Sequence, residues 1–128
     1  MIVKSKEVYQ AHAALAKLIE KEMPIKMAAK FYKLMSLLEK EIEILDKQKH
    51  DIIDRHVRKD ANGEWDIQKD GNVPFLDKEH GKLCQDDLME LDEVECDIGF
   101  EGISQSELEN INFELTIAQF AALEPFIV

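Results

Sequence analysis

Residues 25–56 of this chain of 128 residues read IKMAAKFYKLMSLLEKEIEILDKQKHDIIDRH, and the architecture is built around them. This stretch contains neither glycine nor proline, the two residue types that most strongly disfavour a helix interior. Apolar side chains recur along it at alternating steps of three and four, which is the spacing of one helix face and of a coiled-coil seam. The stretch therefore predicts a single helix over about 24–58, with Pro24 in its first turn.

The apolar seam of this helix is the first candidate site. At 1.5 Å per residue the helix is about 50 Å long, whereas a compact domain of this size is roughly 35–40 Å across. We therefore expect the helix to project from its own domain and to build a homo-oligomer through the seam. The alternative is a long core helix that packs within one chain. The seam consists of Ala28, Phe31, Met35, Leu38, Ile42, Leu45, Ile52 and His56.

Shorter elements are predicted before and after the long helix. Ser5 is placed to cap a first helix that ends near Met23, because the residue before a proline is pushed out of the α region. The first and long helices should form an αα-hairpin. Segment 64–68 alternates polar and apolar side chains between two glycine turns, and residues 73–76 can pair with it, which predicts a β-hairpin. Residues 56–59 could add a further extended piece.

The C-terminal half predicts short elements. Asp77 can cap a third helix over about 78–93, and residues 94–98 alternate in the manner of a strand. The capping boxes Ser104-x-x-Glu107 and Thr116-x-x-Gln119 each predict the start of a short helix. The predicted fold is α+β and mainly α: an αα-hairpin with one very long helix, a small β-hairpin and C-terminal short helices.

We expect one domain over residues 1–128, with a helical hairpin arm at 1–59 and an α+β part at 60–128. The formal net charge is −11. Residues 1–59 hold 13 basic and 9 acidic side chains, a net of +4, whereas residues 60–128 hold 3 and 18, a net of −15. The acidic balance disfavours nucleic-acid binding through phosphates. The asymmetry would permit head-to-tail attraction between copies, or attraction between the arm and the body of one chain.

The densest acidic run is the second candidate site. Seven of the twelve residues 86–97 carry carboxylates. One interpretation is a solvated helix face that keeps the protein soluble, and the other is a patch that engages a basic partner or mimics the phosphates of nucleic acid. The acidic patch consists of Asp86, Asp87, Glu90, Asp92, Glu93, Glu95 and Asp97.

No sequence motif for catalysis is present: glycine-rich phosphate loops, G-x-S-x-G and H-E-x-x-H are all missing. His80 and Cys84 lie one helical turn apart, but a structural zinc site needs four ligands, and the spacing from Cys84 to Cys96 does not suit one. Acidic neighbours should raise the pKa of both thiols and make them unreactive. We expect no catalytic, cofactor-binding or metal-binding residue. His56 could respond to pH near neutrality.

The sequence also bears on location. No uncharged apolar stretch approaches the roughly 20 residues that span a bilayer. The first residues lack the apolar region of an export signal. Two cysteines without such a signal suggest free thiols in a reducing cytoplasm.

The order of features resembles a set of small uncharacterised proteins encoded by tailed phages and prophages, over about residues 5–127. The shared features are the Met-Pro-Ile-Lys entry at 23–26, the turn Lys-Asp-Ala-Asn-Gly at 59–63, the acidic helix with Leu-Met-Glu-Leu-Asp at 88–92, the segment Glu-Cys-Asp-Ile at 95–98 and a helix pair after Ile103. The resemblance implies a phage or prophage source. It supplies no catalytic residue.

The leading hypothesis is a non-enzymatic phage or prophage accessory protein that acts by protein–protein contacts, as an assembly factor or minor structural component. It would act in the cytoplasm of the bacterial host or with the virion. Its expected partners are a second copy or another phage or host protein, and no membrane. The alternative is an acidic host-takeover or anti-defence inhibitor of a nucleic-acid enzyme, and a third class is a small metal-dependent hydrolase.

Overall fold

The computed structural model describes all 128 residues and confirms an α+β fold that is mainly helical. No helix combines the length and the apolar character that crossing a membrane would require. The elements in chain order are β1 (Ile2–Lys4), α1 (Ser5–Leu18), α2 (Ile25–Asp54), α3 (Lys78–Asp92), β2 (Glu95–Asp97), α4 (Gln105–Glu109), α5 (Ile117–Leu123) and a closing 3-10 turn (Glu124–Phe126).

Helix α1 differs from the prediction at both ends. Its N-cap residue is Lys4, whose backbone N–H donates to the Glu7 carboxylate at 2.8 Å. Ser5 does not cap the helix: its buried hydroxyl donates to the Val94 carbonyl oxygen at 3.0 Å, so a partner distant in sequence replaces the local one. The helix ends at Leu18 rather than near residue 23, and a short turn leads to Pro24.

Helix α2 is one unbroken helix of 30 residues, as its uninterrupted apolar spacing predicts. The carbonyl of Pro24 accepts hydrogen bonds from the backbone N–H groups of Met27 and Ala28, so the proline stands at the helix entrance. The helix stops at Asp54, four residues before the predicted end. It stops there because the following backbone turns to other partners: the His56 carbonyl oxygen accepts from Leu76 N–H at 2.9 Å.

The small antiparallel sheet lies elsewhere than predicted. Strand β2 falls in the predicted segment, and its partner is β1, with Val3 opposite Cys96. The hairpin of 64–68 with 73–76 is replaced by two isolated bridges, Val57↔Phe75 and Lys59↔Trp65. Residues 56–59 therefore pair with both segments and keep them from forming a ladder with each other.

The chain folds as two compact units. Unit 1 comprises Met1–Glu43 and Val94–Val128, and unit 2 comprises Ile44–Glu93. The division does not follow the expected arm and body, because the C-terminal segment packs with α1: helix α5 contacts α1 most extensively. Fully buried side chains in unit 1 include Val8, Leu15, Leu18, Leu34, Leu38, Ile103, Leu123 and Phe126. Those buried in unit 2 are Leu45, Ile52, His56, Val57, Cys84 and Leu91.

The two units carry similar net charges, although the two halves of the sequence do not. Unit 1 holds 8 basic and 13 acidic side chains, a net of −5, and unit 2 holds 8 and 14, a net of −6. Folding brings lysines of the N-terminal half against acids of the C-terminal segment: Lys30 pairs with Glu107 at 2.7 Å and Lys33 with Glu101 at 2.9 Å. Neither unit is a basic arm.

Candidate functional site

The predicted seam divides into buried and accessible positions. Ala28 is exposed, and Met35 and Ile42 are half-buried. The buried members are Phe31, Leu38, Leu45, Ile52 and His56. Their burial within one chain agrees with the alternative of an intrachain core at these positions. Self-association through the seam stays a prediction.

The N-terminal end of the seam lines an open apolar groove in unit 1, with a volume of about 520 Å³. We call it the α1–α2 groove. Its apolar lining comes from Ile19, Met23, Ala28, Phe31, Tyr32 and Met35, and Lys21 and Glu22 contribute the charged part. Three of the six apolar residues belong to the predicted seam.

The early end of α1 creates this groove. Ile19 is the C-cap residue of the helix, and Lys21 N–H donates to the Leu18 carbonyl at 3.0 Å, so the chain turns away. Ile19 and Tyr32 stay largely outside the core, with 62% and 76% of their surface exposed. Large apolar side chains grouped on a surface are typical of protein–protein contact sites.

The acidic run divides between elements and between units. Asp86, Glu90 and Glu93 are exposed at successive turns of α3 and its C-cap, in unit 2. Asp87 is engaged with His56 at 3.2 Å. Asp92 is half-buried, whereas Glu95 and Asp97 belong to β2 in unit 1 and flank the buried Cys96. The run is thus not one helix face, and the inhibitor role stays a prediction.

A histidine pair in unit 2 was not foreseen. His56 Nδ1 lies 2.9 Å from His80 Nδ1, and His56 Nε2 lies 3.2 Å from the Asp87 carboxylate. One part of this arrangement could be predicted from spacing alone. His80 and Asp87 are seven residues apart and therefore share a face of α3. Nothing in the sequence pairs either with the end of α2.

Both cysteines are free and buried. Burial raises the pKa of the Cys84 thiol, and the charge of Asp87 raises it further. Burial raises the pKa of the Cys96 thiol against an opposing hydrogen bond with Ser5, and Glu41 adds to the rise. The direction agrees with the sequence expectation, but burial is the leading cause. The thiols are held in the protonated form, which is a poor nucleophile.

No three or more His, Cys, Asp or Glu side chains are arranged to hold a metal ion. No protein-family model, no curated protein and no solved structure matches the chain.

Proposed function

We propose that this chain is a non-enzymatic accessory protein that acts through protein–protein contacts, in keeping with the phage and prophage proteins that it resembles. The observation that carries the proposal is the α1–α2 groove, where Ile19 and Tyr32 expose apolar surface beside a cavity of about 520 Å³. Covering such a surface removes apolar area from water, which stabilises the complex by about 25 cal/mol per Å² of apolar surface buried.

The proposed occupant of the groove is a second copy of the chain, which makes the protein a homo-oligomer. In a two-fold dimer the same patch meets itself, so the patch must be self-complementary. The groove supplies a cavity together with projecting Ile19 and Tyr32 side chains, and these are the two parts that a self-complementary apolar contact needs.

The charges of the groove support the same occupant. Lys21 and Glu22 are exposed neighbours of opposite sign at the groove. A two-fold axis reverses their order in the second copy, so Lys21 of one copy can face Glu22 of the other. Such exposed pairs add little affinity but disfavour wrong registers.

Sedimentation equilibrium of Tyr32→Asp tests the groove directly. The unaltered protein should sediment as a dimer of the 14.8 kDa chain, and the variant should be a monomer because it places a charge in the apolar contact. The matched control is Ile67→Asp, which alters a side chain that is 66% exposed in unit 2 and should leave the dimer intact. An unaltered protein that stays monomeric at high concentration would refute the proposal.

Charge reversal tests the symmetry of the contact. Lys21→Glu and Glu22→Lys should each weaken the dimer, since each sets like charges opposite one another. The double variant should restore affinity, because the pairs are re-formed with reversed sign. Additive losses in the double variant would contradict the two-fold arrangement while leaving dimerisation itself in place.

The phage or prophage role has a separate test. The gene should stand among phage genes, and a position in a tail or capsid cluster would favour an assembly factor or minor structural component. Purified virions, probed with an antibody against the chain, would then distinguish a component from a factor that is left behind. A gene among unrelated metabolic genes would count against the role.

A further inference from the structure

We propose that His56, His80 and Asp87 form a pH-sensitive clasp in unit 2. The clasp holds the segment after α2 in place near neutral pH and releases it when the pH falls. This inference does not depend on the proposed dimer. His56 is buried in the turn after α2, and both of its ring nitrogens have partners: Nδ1 faces His80 Nδ1 at 2.9 Å and Nε2 faces the Asp87 carboxylate at 3.2 Å. We call these three residues the histidine clasp.

Only one proton can lie between His56 Nδ1 and His80 Nδ1 while these two nitrogens are hydrogen-bonded to each other. When both rings are neutral, His56 Nε2–H donates to Asp87 and His80 Nδ1–H donates to His56 Nδ1. If the pair gains one proton, His56 donates from both nitrogens and His80 accepts. If both rings become imidazolium ions, two N–H groups point at each other, and neither nitrogen can accept.

Opening of the clasp is therefore coupled to proton uptake. The closed pair carries at most three ring protons, whereas two separated imidazolium rings carry four. A transition that takes up a proton is favoured as the pH falls. Among side chains, histidine is the one whose ordinary charge change lies between about pH 5 and pH 8.

The other charged groups at the clasp belong to the same unit. From α3, Asp87 is the carboxylate that faces His56, and the protonated Cys84 thiol lies near Asp87. Arg55 precedes His56 and also acts electrostatically on Cys84. From the segment before α3, the side chain of Asp77 accepts from the backbone N–H of His80 at 2.8 Å. Asp87 is thus the one carboxylate hydrogen-bonded to the rings, and it can stabilise only one imidazolium through His56.

The clasp fixes the segment that follows α2. The His56 carbonyl accepts from Leu76 N–H at 2.9 Å, and Arg58 N–H donates to the Pro74 carbonyl at 2.8 Å. Val57 is buried between these points of attachment. Losing the contact between the rings should loosen these hydrogen bonds and expose Val57, which would add a second apolar surface at low pH.

Amide hydrogen exchange followed by NMR tests this coupling. After correction for intrinsic rates, protection of Leu76 N–H and Arg58 N–H should fall about tenfold between about pH 7.5 and about pH 5, the effect of losing one buried hydrogen bond. In His80→Asn the amide nitrogen stands where ring Nδ1 stood and cannot become charged, so protection should change less than about twofold. His12→Asn, which removes a histidine of unit 1, should behave as the unaltered protein does. An equal fall in His80→Asn would overturn the proposal.

The unaltered protein offers a second measurement that needs no variant. Ring nitrogen chemical shifts near pH 7.5 should show that one of the two facing Nδ1 atoms carries a proton and the other does not. If both rings carry their proton on Nε2 alone, no hydrogen bond joins them and the clasp does not exist. Persistence of the shared proton near pH 5 would equally contradict it.

Discussion

The side chain of Lys30 donates hydrogen bonds to two points of the segment around α4. Its ammonium lies 2.7 Å from the Glu107 carboxylate and 3.1 Å from the Gly102 carbonyl oxygen. Glu107 also accepts from the hydroxyl of Ser104 at 2.9 Å as part of the capping box of α4. A single basic residue of α2 therefore holds both the turn and the helix start, a role that charge counting along the chain could not assign to it.

Gly102 illustrates how far residue type alone can be taken. Its observed φ of +101° is in the region that glycine adopts without strain. Residue type alone does not identify the neighbour: a Cβ at this position would clash with the Val128 side chain. The requirement for glycine comes from the backbone angle and from a contact with the chain end.

The contribution of Glu107 to the stability of the fold should depend on pH. The hydrogen bond from Lys30, followed by those from Ser104, holds the pKa of Glu107 below its ordinary value of 4.5. A lowered pKa in the folded chain stabilises the fold above the unfolded value, and this stabilisation is lost as the pH falls through the folded pKa. Glu107→Gln should therefore lower the urea midpoint at pH 7, and the difference should shrink as the pH is lowered below 4.5.

The control for this prediction is Glu109→Gln, which alters an exposed residue of the same helix. Its urea midpoint should stay close to that of the unaltered protein at every pH. A loss in Glu107→Gln that is equal at all pH values would mean that packing, and not charge, is what Glu107 contributes.

At the scale of elements, the signals that act within a few residues predicted correctly, except at Ser5, whose hydroxyl bonds to Val94 instead of capping α1. Both capping boxes are formed: Ser104 accepts from Glu107 N–H at 3.2 Å and Thr116 from Gln119 N–H at 3.1 Å. The cap of Asp77 and the extent of α3 also agree with the pattern. These signals succeed because the groups that satisfy a helix end lie three residues away, within the same local sequence.

The elements that failed depend on partners distant along the chain. Strand β1 was not predicted, because three residues at the N-terminus form a strand only when β2 is beside them. The expected hairpin failed for a related reason, since residues 56–59 pair with both of its segments and Pro74 lacks an N–H donor for a ladder. The histidine clasp and the α1–α2 groove belong to this class. The sequence identifies each side chain, but not the residues that lie beside it in the folded chain.

A prediction at this scale concerns the start of α5. Thr116→Ala removes the hydroxyl that accepts from Gln119 N–H, and losing such a cap costs about 1 kcal/mol. The loss should appear as a lower urea midpoint with an unchanged slope, because the surface exposed on unfolding stays the same. Thr116→Ser keeps the hydroxyl and should lose little. Equal losses in both variants would show that the methyl group, and not the cap, is what the position needs.

For the whole molecule, the folded structure removes the reason for expecting head-to-tail attraction. That expectation depended on a basic half of +4 and an acidic half of −15. The units into which the chain folds instead carry −5 and −6. Lysines such as Lys30 and Lys33 are paired with acids of the C-terminal segment, so they do not form a basic surface for a neighbour. Two copies therefore meet as two negative bodies.

The last prediction follows from this charge. Two copies of −11 each repel at long range, whereas the apolar contact in the α1–α2 groove is not weakened by simple salts. Raising the salt from about 0.01 M to about 0.1 M shortens the screening length from about 30 Å to about 10 Å. Self-association measured by sedimentation should therefore become several-fold tighter over this range.

The Ile67→Asp control should follow the same trend from a weaker starting affinity, because it adds one more negative charge without touching the groove. Tyr32→Asp should stay monomeric at every salt concentration. The opposite trend, with association weakened by salt, would mean that ion pairs such as Lys21 with Glu22 hold the copies together. Burial of apolar surface would then be the minor contribution. The sign of the salt dependence thus decides which of the two forces assembles the molecule.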